Sequence, residues 1–420
     1  MPGLDPNAVI WIVAAVATCG VIFRPWRVPE YVWALSAAAL LTGLGFIPWP
    51  SALAAIAKGT DVYLFLIGMM VLAELARQEG LFDWLAMYAA QHAKGSGQRL
   101  FDLVFLVGTL VTVFLSNDAT AVVLTPAVYA AAKAAKAEPL PYLFVCAFIA
   151  NAASFVLPIS NPANLVIFGS HMPPLLTWLW HFTLPSIAAI GLTYAALRFT
   201  QRKHLRLPLE TVIALQPLSN GARLTAFGIL LTAIVLLLAS AFDLQLGLPT
   251  FCAGVATASL IHLRQRMNPM PVLKGVSWAV LPLVGGLFVL VEGLAQTGVI
   301  DVLAHHLATL ADHSAGQATW GAGIAVAIAS NVINNLPMGL IAGSVGHIAQ
   351  LPTHTTSALL IGVDLGPNLS ITGSLATLLW LIAVRREGEH VSAIDFLKVG
   401  ILVMPPALIG ALAALSISGG

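Results

Sequence analysis

Residues 100–135 read LFDLVFLVGTLVTVFLSNDATAVVLTPAVYAAAKAA, an apolar run broken in its middle by Ser116-Asn117-Asp118. One helical crossing of a bilayer takes about 20 apolar residues, so this run is too long for a single pass and too polar at its centre for an uninterrupted one. A second run, 317–350, repeats the design with its break at Asn334-Asn335-Leu336-Pro337. Non-helical backbone at membrane depth is tolerated only where protein or a water-filled cavity surrounds it. Both runs are therefore expected to be re-entrant hairpins that enter and leave on one side, their tips buried in the protein.

The rest of the chain fits that environment. Of 420 residues, 59% are apolar and only 9% charged, and mean hydropathy is +0.90. A soluble domain carries about 25% charged residues, so a water-solvated globule is excluded. Nineteen Lys and Arg against 18 Asp and Glu leave a net charge of +1 and no basic surface for nucleic acid. Cys19, Cys146 and Cys252 stand far apart, which excludes a disulfide framework or a CxxC-type metal or redox motif. Each sits alone in its own apolar run and reads as filler. No catalytic Ser/His pair, metal-ligand cluster or cofactor motif falls within the spans, which argues against an enzyme. His305, His306, Asp312 and His313 read as the solvated face of a short amphipathic segment.

Crossing helices are expected near 8–23, 31–47, 61–76, 140–170, 175–197, 223–241, 247–263, 277–295, 353–384 and 394–416. With these crossings, two hairpins and the N-terminus outside, every Lys and Arg except Lys58 falls on the inner side. That is the asymmetry of the positive-inside rule. Both termini are then expected outside. The first run follows Asp5 with no basic segment before it, and is expected to remain as a helix rather than be cleaved as a signal.

Shifting the chain by 218 residues lays 66–90 on 284–308 with ten of 25 positions identical. The matches include Glu74/Glu292, Gln78/Gln296 and Asp83/Asp301, so shared apolarity does not explain them. At nearby offsets Asn117 meets Asn334, and Ser160-Asn161-Pro162-Ala163-Asn164 meets Gly373-Ser374-Leu375-Ala376-Thr377. The chain is thus expected to be an all-α polytopic membrane protein of two repeats, 1–200 and 223–420, joined by a basic linker at 201–222. An odd number of crossings in each half makes the repeats inverted. Inverted repeats around a midplane site are the architecture of secondary transporters, although channels carry repeats too.

The breaks locate the expected substrate site: Asn117-Asp118 and Asn334-Asn335 at the hairpin tips, Ser160 to Asn164 and Gly373 to Thr377 inside long helices. Each can start a half-helix whose free N–H groups and partial positive charge face a ligand's oxygens. Any single Asn, Ser or Thr here can equally be a cap or an interhelical hydrogen bond. As a set, Asn117, Ser160, Asn161, Asn164, Asn334, Asn335, Gly373, Ser374 and Thr377 offer amides, hydroxyls and backbone but no Lys or Arg. That suits a small, uncharged, oxygen-rich solute. Asp118 and Asp364 lie far from any loop, where an ionisable group costs at least ~2.5 kcal/mol and is a functional hypothesis by default. A carboxyl group at that depth suits a proton carrier. Glu74 and Glu292 lie near helix ends, where a carboxylate can snorkel to water.

At these residues the sequence resembles the arsenical pump membrane protein family, the bacterial arsenite/antimonite efflux permeases of the ion transporter superfamily. The resemblance rests on residues 116–126 (SNDATAVVLTP), 159–164 (ISNPAN), Asn334-Asn335-Leu336-Pro337, 362–367 (GVDLGP) and 373–380 (GSLATLLW), and spans essentially the whole chain. The Ser-Asn turns are shared more widely, for instance with sodium-coupled dicarboxylate carriers. Pro162 departs from the pattern, which has an aliphatic residue there. The resemblance implies export of arsenite or antimonite as the neutral trihydroxide across the bacterial inner membrane, by exchange for an entering proton. An entering proton contributes about 2.3 kcal/mol per 100 mV. Asp118 and Asp364 are the coupling candidates. The family's association with a soluble ATPase subunit would fall on 198–222 and 264–276, the sizeable inner segments. A sodium-coupled anion carrier and a passive channel for small neutral solutes are the alternatives.

Overall fold

In hydrocarbon every backbone N–H and C=O must be paired within the segment, which leaves the helix as the economical solution for apolar runs of this length. The computed structural model describes residues 5–169, 172–210, 217–266 and 268–418. Among these residues the chain is helical throughout, with no strand, and the expected all-α class is met. Residues 211–216 of the linker, and residue 267 in the segment 264–276, lie outside the described residues.

The first part of the chain runs through Pro6–Phe23, Glu30–Gly43, the short Trp49–Lys58, Thr60–Gln78 and Leu81–His92. The first hairpin follows, with Gly97–Phe114 entering and Thr125–Ala134 leaving, and then Leu140–Ala152, a broken stretch, Pro162–Phe168 and the long Leu175–Gln201. After the linker a comparable series begins: Asn220–Ala241, Gly247–Gln265, the short Met270–Gly275, Val280–Gln296 and Val299–His313. It ends with Ala315–Ile333 and Asn335–Ile348 as the second hairpin, Thr353–Leu365, a break, Leu375–Arg386 and Ala393–Ser418.

Among the described residues, Pro6–Phe23, Gly97–Phe114, Leu175–Gln201, Asn220–Ala241 and Ala393–Ser418 are each long and apolar enough to cross a bilayer. Thr60–Gln78 with Trp49–Lys58, and Val280–Gln296 with Val299–His313, qualify as pairs bent by 45° and 73°. The other expected crossings are assembled from shorter pieces at 30–43, 140–168 and 353–386, or, in Gly247–Gln265, from a continuous helix diluted by Thr, His and Arg. Gly97–Phe114, expected as a hairpin arm, is long enough to cross alone, so the polar tip lies at the far end of a full-length helix.

Helices of the two halves pack crosswise. Thr60–Gln78 lies against Gly247–Gln265, while Val280–Gln296 lies against Glu30–Gly43. The repeat-matched glycines make these contacts possible. A Cβ on Gly68 would sit 2.4 Å from the Thr250 carbonyl oxygen, and one on Gly286 2.8 Å from the carbonyl carbon of Ala34. The same exchange recurs deeper: Pro162–Phe168 packs on the second hairpin's Asn335–Ile348, and Leu375–Arg386 on the first hairpin's turn at Thr120–Leu124. The Trp380 indole donates to the Leu143 carbonyl at 2.8 Å, and Phe144 and Phe148 stack with Trp380 and Phe396 across the join. The hairpin tips are thereby buried within the protein, Asn117, Asn334 and Asn335 among their shielded residues.

Candidate functional site

Each tip is a capped helix start. In the first, the Ser116 hydroxyl accepts from the Ala119 N–H at 3.2 Å and the Asn117 side-chain oxygen Oδ1 from the Asp118 N–H at 2.9 Å. A π-helical turn, Thr120–Leu124, follows ahead of Pro126, which has no N–H for the regular ladder. Such wide turns gather at functional sites. In the second, Asn334 holds φ 80°, ψ 149°, a conformation nearly confined to glycine. Its amide donates to the Thr372 carbonyl at 3.1 Å and its side-chain oxygen accepts from the Leu336 N–H at 3.4 Å.

The broken helices restart in the same manner. Asn161 caps Pro162–Phe168, accepting from the Ala163 N–H at 3.0 Å, and Ser374 caps Leu375–Arg386, accepting from the Thr377 N–H at 3.0 Å. Pro162 takes the first helical position, where its missing N–H costs nothing. The departure at 162 is thus accommodated without disturbing the turn.

Two adjoining cavities meet at these starts. The larger, about 550 Å³, is rimmed by Glu74, Arg77, Asp83, Arg386 and Glu387 and reaches Ser116, Asp118 and Pro162. The smaller, about 30 Å³, lies between Asn117, Asp118, Asn161 and Asn335, with Leu66, Pro162, Val284 and Leu375 among its apolar walls. It has room for a few waters at most. Under the repeat alignment Leu66 mates with Val284, and Pro162 with Leu375, so the small cavity sits where equivalent residues of the two halves face each other.

Of the residues singled out from sequence, the structure brings Asn117, Asp118, Asn161 and Asn335 together around the small cavity. The others stand behind it. Ser160 is buried, donating to the Val113 carbonyl at 3.1 Å and accepting from the Leu157 N–H. The Asn164 amide spans the Ser154, Leu157 and Pro158 carbonyls. Gly373 packs against Pro367, where a Cβ would come within 2.5 Å. Thr377 is bonded to Ser374 at 2.8 Å. Asp364 is fully buried: Oδ1 accepts from the Asn161 amide at 2.7 Å, the Ser154 hydroxyl stands beside the carboxyl group, and Oδ2 makes no hydrogen bond to the described residues.

Sequence reasoning missed three asparagines and two arginines. Asn151 donates to Asn368 at 3.0 Å and to Thr377 at 3.2 Å, and Asn368 donates to the Phe148 carbonyl. Asn331 gathers the second break, donating to the Gly366 carbonyl and accepting from the Ser370 hydroxyl at 2.7 Å. Arg77 and Arg386, outside every polar break, nonetheless line the larger cavity. Arg77 is neutralised there by a bidentate bond to Glu74, which Gln78 also contacts at 2.7 Å. At the opposite end of Thr60–Gln78, Lys58 bridges to Glu292 at 3.1 Å.

A family model described as citrate transporter matches residues 9–384. The chain is 31% identical over 366 residues to an arsenical pump membrane protein of Yersinia enterocolitica, covering 84% of this chain and 85% of that one. It is also 31% identical over 376 residues to the arsenical pump membrane protein of Escherichia coli K12, with the same coverage. Among solved structures, the YdaH transporter of Alcanivorax borkumensis superposes with a TM-score of 0.59 at 14% identity, over 99% of this chain and 98% of that one. At that identity the likeness concerns the fold.

Proposed function

Since this chain belongs to the citrate-transporter family and, within its likeness, to the arsenical pump membrane proteins, and is a multi-pass membrane transporter, we propose that it exports arsenite or antimonite from the bacterial cytoplasm in exchange for protons. The observation that carries this reading is the small cavity, walled by three asparagines and one aspartate with no lysine or arginine. A neutral trihydroxide needs hydrogen-bond partners on several sides and no countercharge, which amides at helix starts provide. In the conformation described, the larger cavity opens beside Arg77 and Arg386, on the side the positive-inside rule assigns to the cytoplasm. The small cavity is then the closed-down substrate position at its floor, and Asp118 is the acid the cargo meets first. Asp364, with one oxygen free, is the second proton carrier.

In this reading the halves 1–200 and 223–420 are inverted repeats, and rocking one against the other exposes the site alternately. A soluble ATPase subunit would dock on 198–222 and 264–276. Everted membrane vesicles test the proposal. Arsenite should accumulate on acidification of the lumen, collapse with the proton gradient and ignore sodium. Accumulation that requires sodium would transfer the argument to the second reading, a sodium-coupled anion carrier, which the family model and Arg386 at the larger cavity favour.

A further inference from the structure

The shift of 213 residues that lays Ser160–Asn164 on Gly373–Thr377 also lays Asn151 on Asp364. These two residues occupy equivalent places in the structure. Asp364, at the end of Thr353–Leu365, holds the first half's turn by accepting from the Asn161 amide at 2.7 Å. Asn151, at the end of Leu140–Ala152, holds the second half's turn by donating to Thr377 at 3.2 Å, and Thr377 is tied to Ser374, the repeat mate of Asn161. Each turn is thus held by the helix of the other half. Both holders are buried, Asp364 at 0% and Asn151 at 1% exposure, and each keeps one side-chain oxygen without a partner, Asp364 Oδ2 and Asn151 Oδ1.

From this reciprocity we infer that Asn151 is the positioning counterpart of Asp364, and that the proton-sensitive clamp can be moved between the two halves by exchanging the two side chains. The inference rests on the proton-antiport reading above. Only one of the two clamps carries a removable proton, so only the Asn161 turn responds to protonation; the Thr377 turn is held by an amide that cannot titrate. The proton resides on Oδ2; Asp364 lines neither cavity, and its proton reaches the small cavity only when the Asn161 amide, which stands between them, swings away. Around Asn151, Leu140–Ala152 packs on helices that carry Arg99, Asp102, Asp118, Tyr129, Lys133, Arg385 and Arg386, whereas the helix of Asp364 itself carries only His354, ten residues away. Of the helices packed against Thr353–Leu365, Ala315–Ile333 and Pro162–Phe168 contain no titratable group, Asn335–Ile348 has only His347 at its far end, and Leu140–Ala152 has Tyr142 and Cys146. Leu175–Gln201 brings His181, Tyr194 and Arg198, the last two bonded to Asp102, and Ala393–Ser418 brings Asp395 and Lys398, which bond each other. Asp118 stands across Asn161 in the small cavity.

The test is arsenite accumulation by purified protein in liposomes under an imposed proton gradient, for the native chain, Asp364→Asn, Asn151→Asp and the double exchange. Asp364→Asn should lose gradient-driven accumulation, and Asn151→Asp added to it should restore roughly fivefold or more over the single variant, the scale of directly coupled residues. A folded double variant no better than Asp364→Asn overturns the inference, as does an Asp364→Asn protein that accumulates arsenite like the native one. Should the double variant fail to fold, Asn151→Asp in the native background decides: a second titrating clamp displaces the pH profile of arsenite exchange, and an unchanged profile overturns the proposal. A native protein that shows no proton-driven accumulation at all instead removes the antiport reading.

Discussion

Gly68→Ala gives the sharpest test of how the halves are joined. A Cβ at 68 would lie 2.4 Å from the carbonyl oxygen of Thr250 and 2.6 Å from its carbon, where ordinary contact begins at 3.4 Å. These are backbone atoms of a packed helix and cannot rotate away, so Thr60–Gln78 and Gly247–Gln265 must part by about 1 Å. Overpacking of this kind costs about 1–3 kcal/mol, and the upper end applies where backbone is the obstacle. Alanine's better helix propensity returns up to about 1 kcal/mol. The net is a destabilisation of about 2 kcal/mol, or a melting point lower by roughly 2–4 °C. Gly191→Ala is the control: Gly191 is helical and exposed, with nothing within 4 Å of its added Cβ, so that variant should melt at or slightly above the native temperature. Thermal unfolding in detergent by a thiol-independent probe reads both. A Gly68→Ala protein that melts with the native one, or a Gly191→Ala protein that falls as far, would refute the crosswise packing.

Asn161→Ala removes a helix cap, about 1 kcal/mol, and leaves Asp364 without its donor, about 1–3 kcal/mol more. It should lower the melting point more than Ser374→Ala, which loses a cap without stranding a carboxyl group. Asn334→Gly and Asn334→Ala both lose the two side-chain bonds, but glycine takes φ 80° without strain, so Asn334→Ala should be the less stable of the two by about 1–3 kcal/mol; comparative unfolding distinguishes them. Arg386→Gln separates the two cargo readings. A neutral trihydroxide should be transported within about threefold of the native rate, whereas an anion that used this guanidinium would lose tenfold or more, the worth of a charged hydrogen bond of about 1.5–3 kcal/mol.

The membrane class and the helix starts were legible because each is a local property. Asn161 and Ser374 stand directly before their half-helices, and Gly68 and Gly286 match at a fixed offset. What could not be read was which side of each break the side chains take. Ser160 and Asn164 lie close to Asn161 in sequence, yet Asn164 turns back onto its own loop's carbonyls and Ser160 onto Val113 of the helix Gly97–Phe114, while Asn161 reaches across to Asp364. Asn151 carries no local signal, since one asparagine in a buried helix resembles any other. Only the repeat offset, extended ten residues upstream, would have paired it with Asp364. Arg77 and Arg386 lie at helix ends, Arg386 closing the half-helix that starts at Ser374, and only the packing of the two halves brings them to the same cavity.

The central claim, proton-driven export of a neutral arsenical, is tested most directly by measuring both fluxes at once in liposomes containing the purified protein. Arsenite accumulation and proton release, followed by an enclosed pH-sensitive dye, should appear together, scale with the imposed gradient, and persist without sodium. Arsenite movement that proceeds with no proton flux, or only when sodium is supplied, would contradict the account.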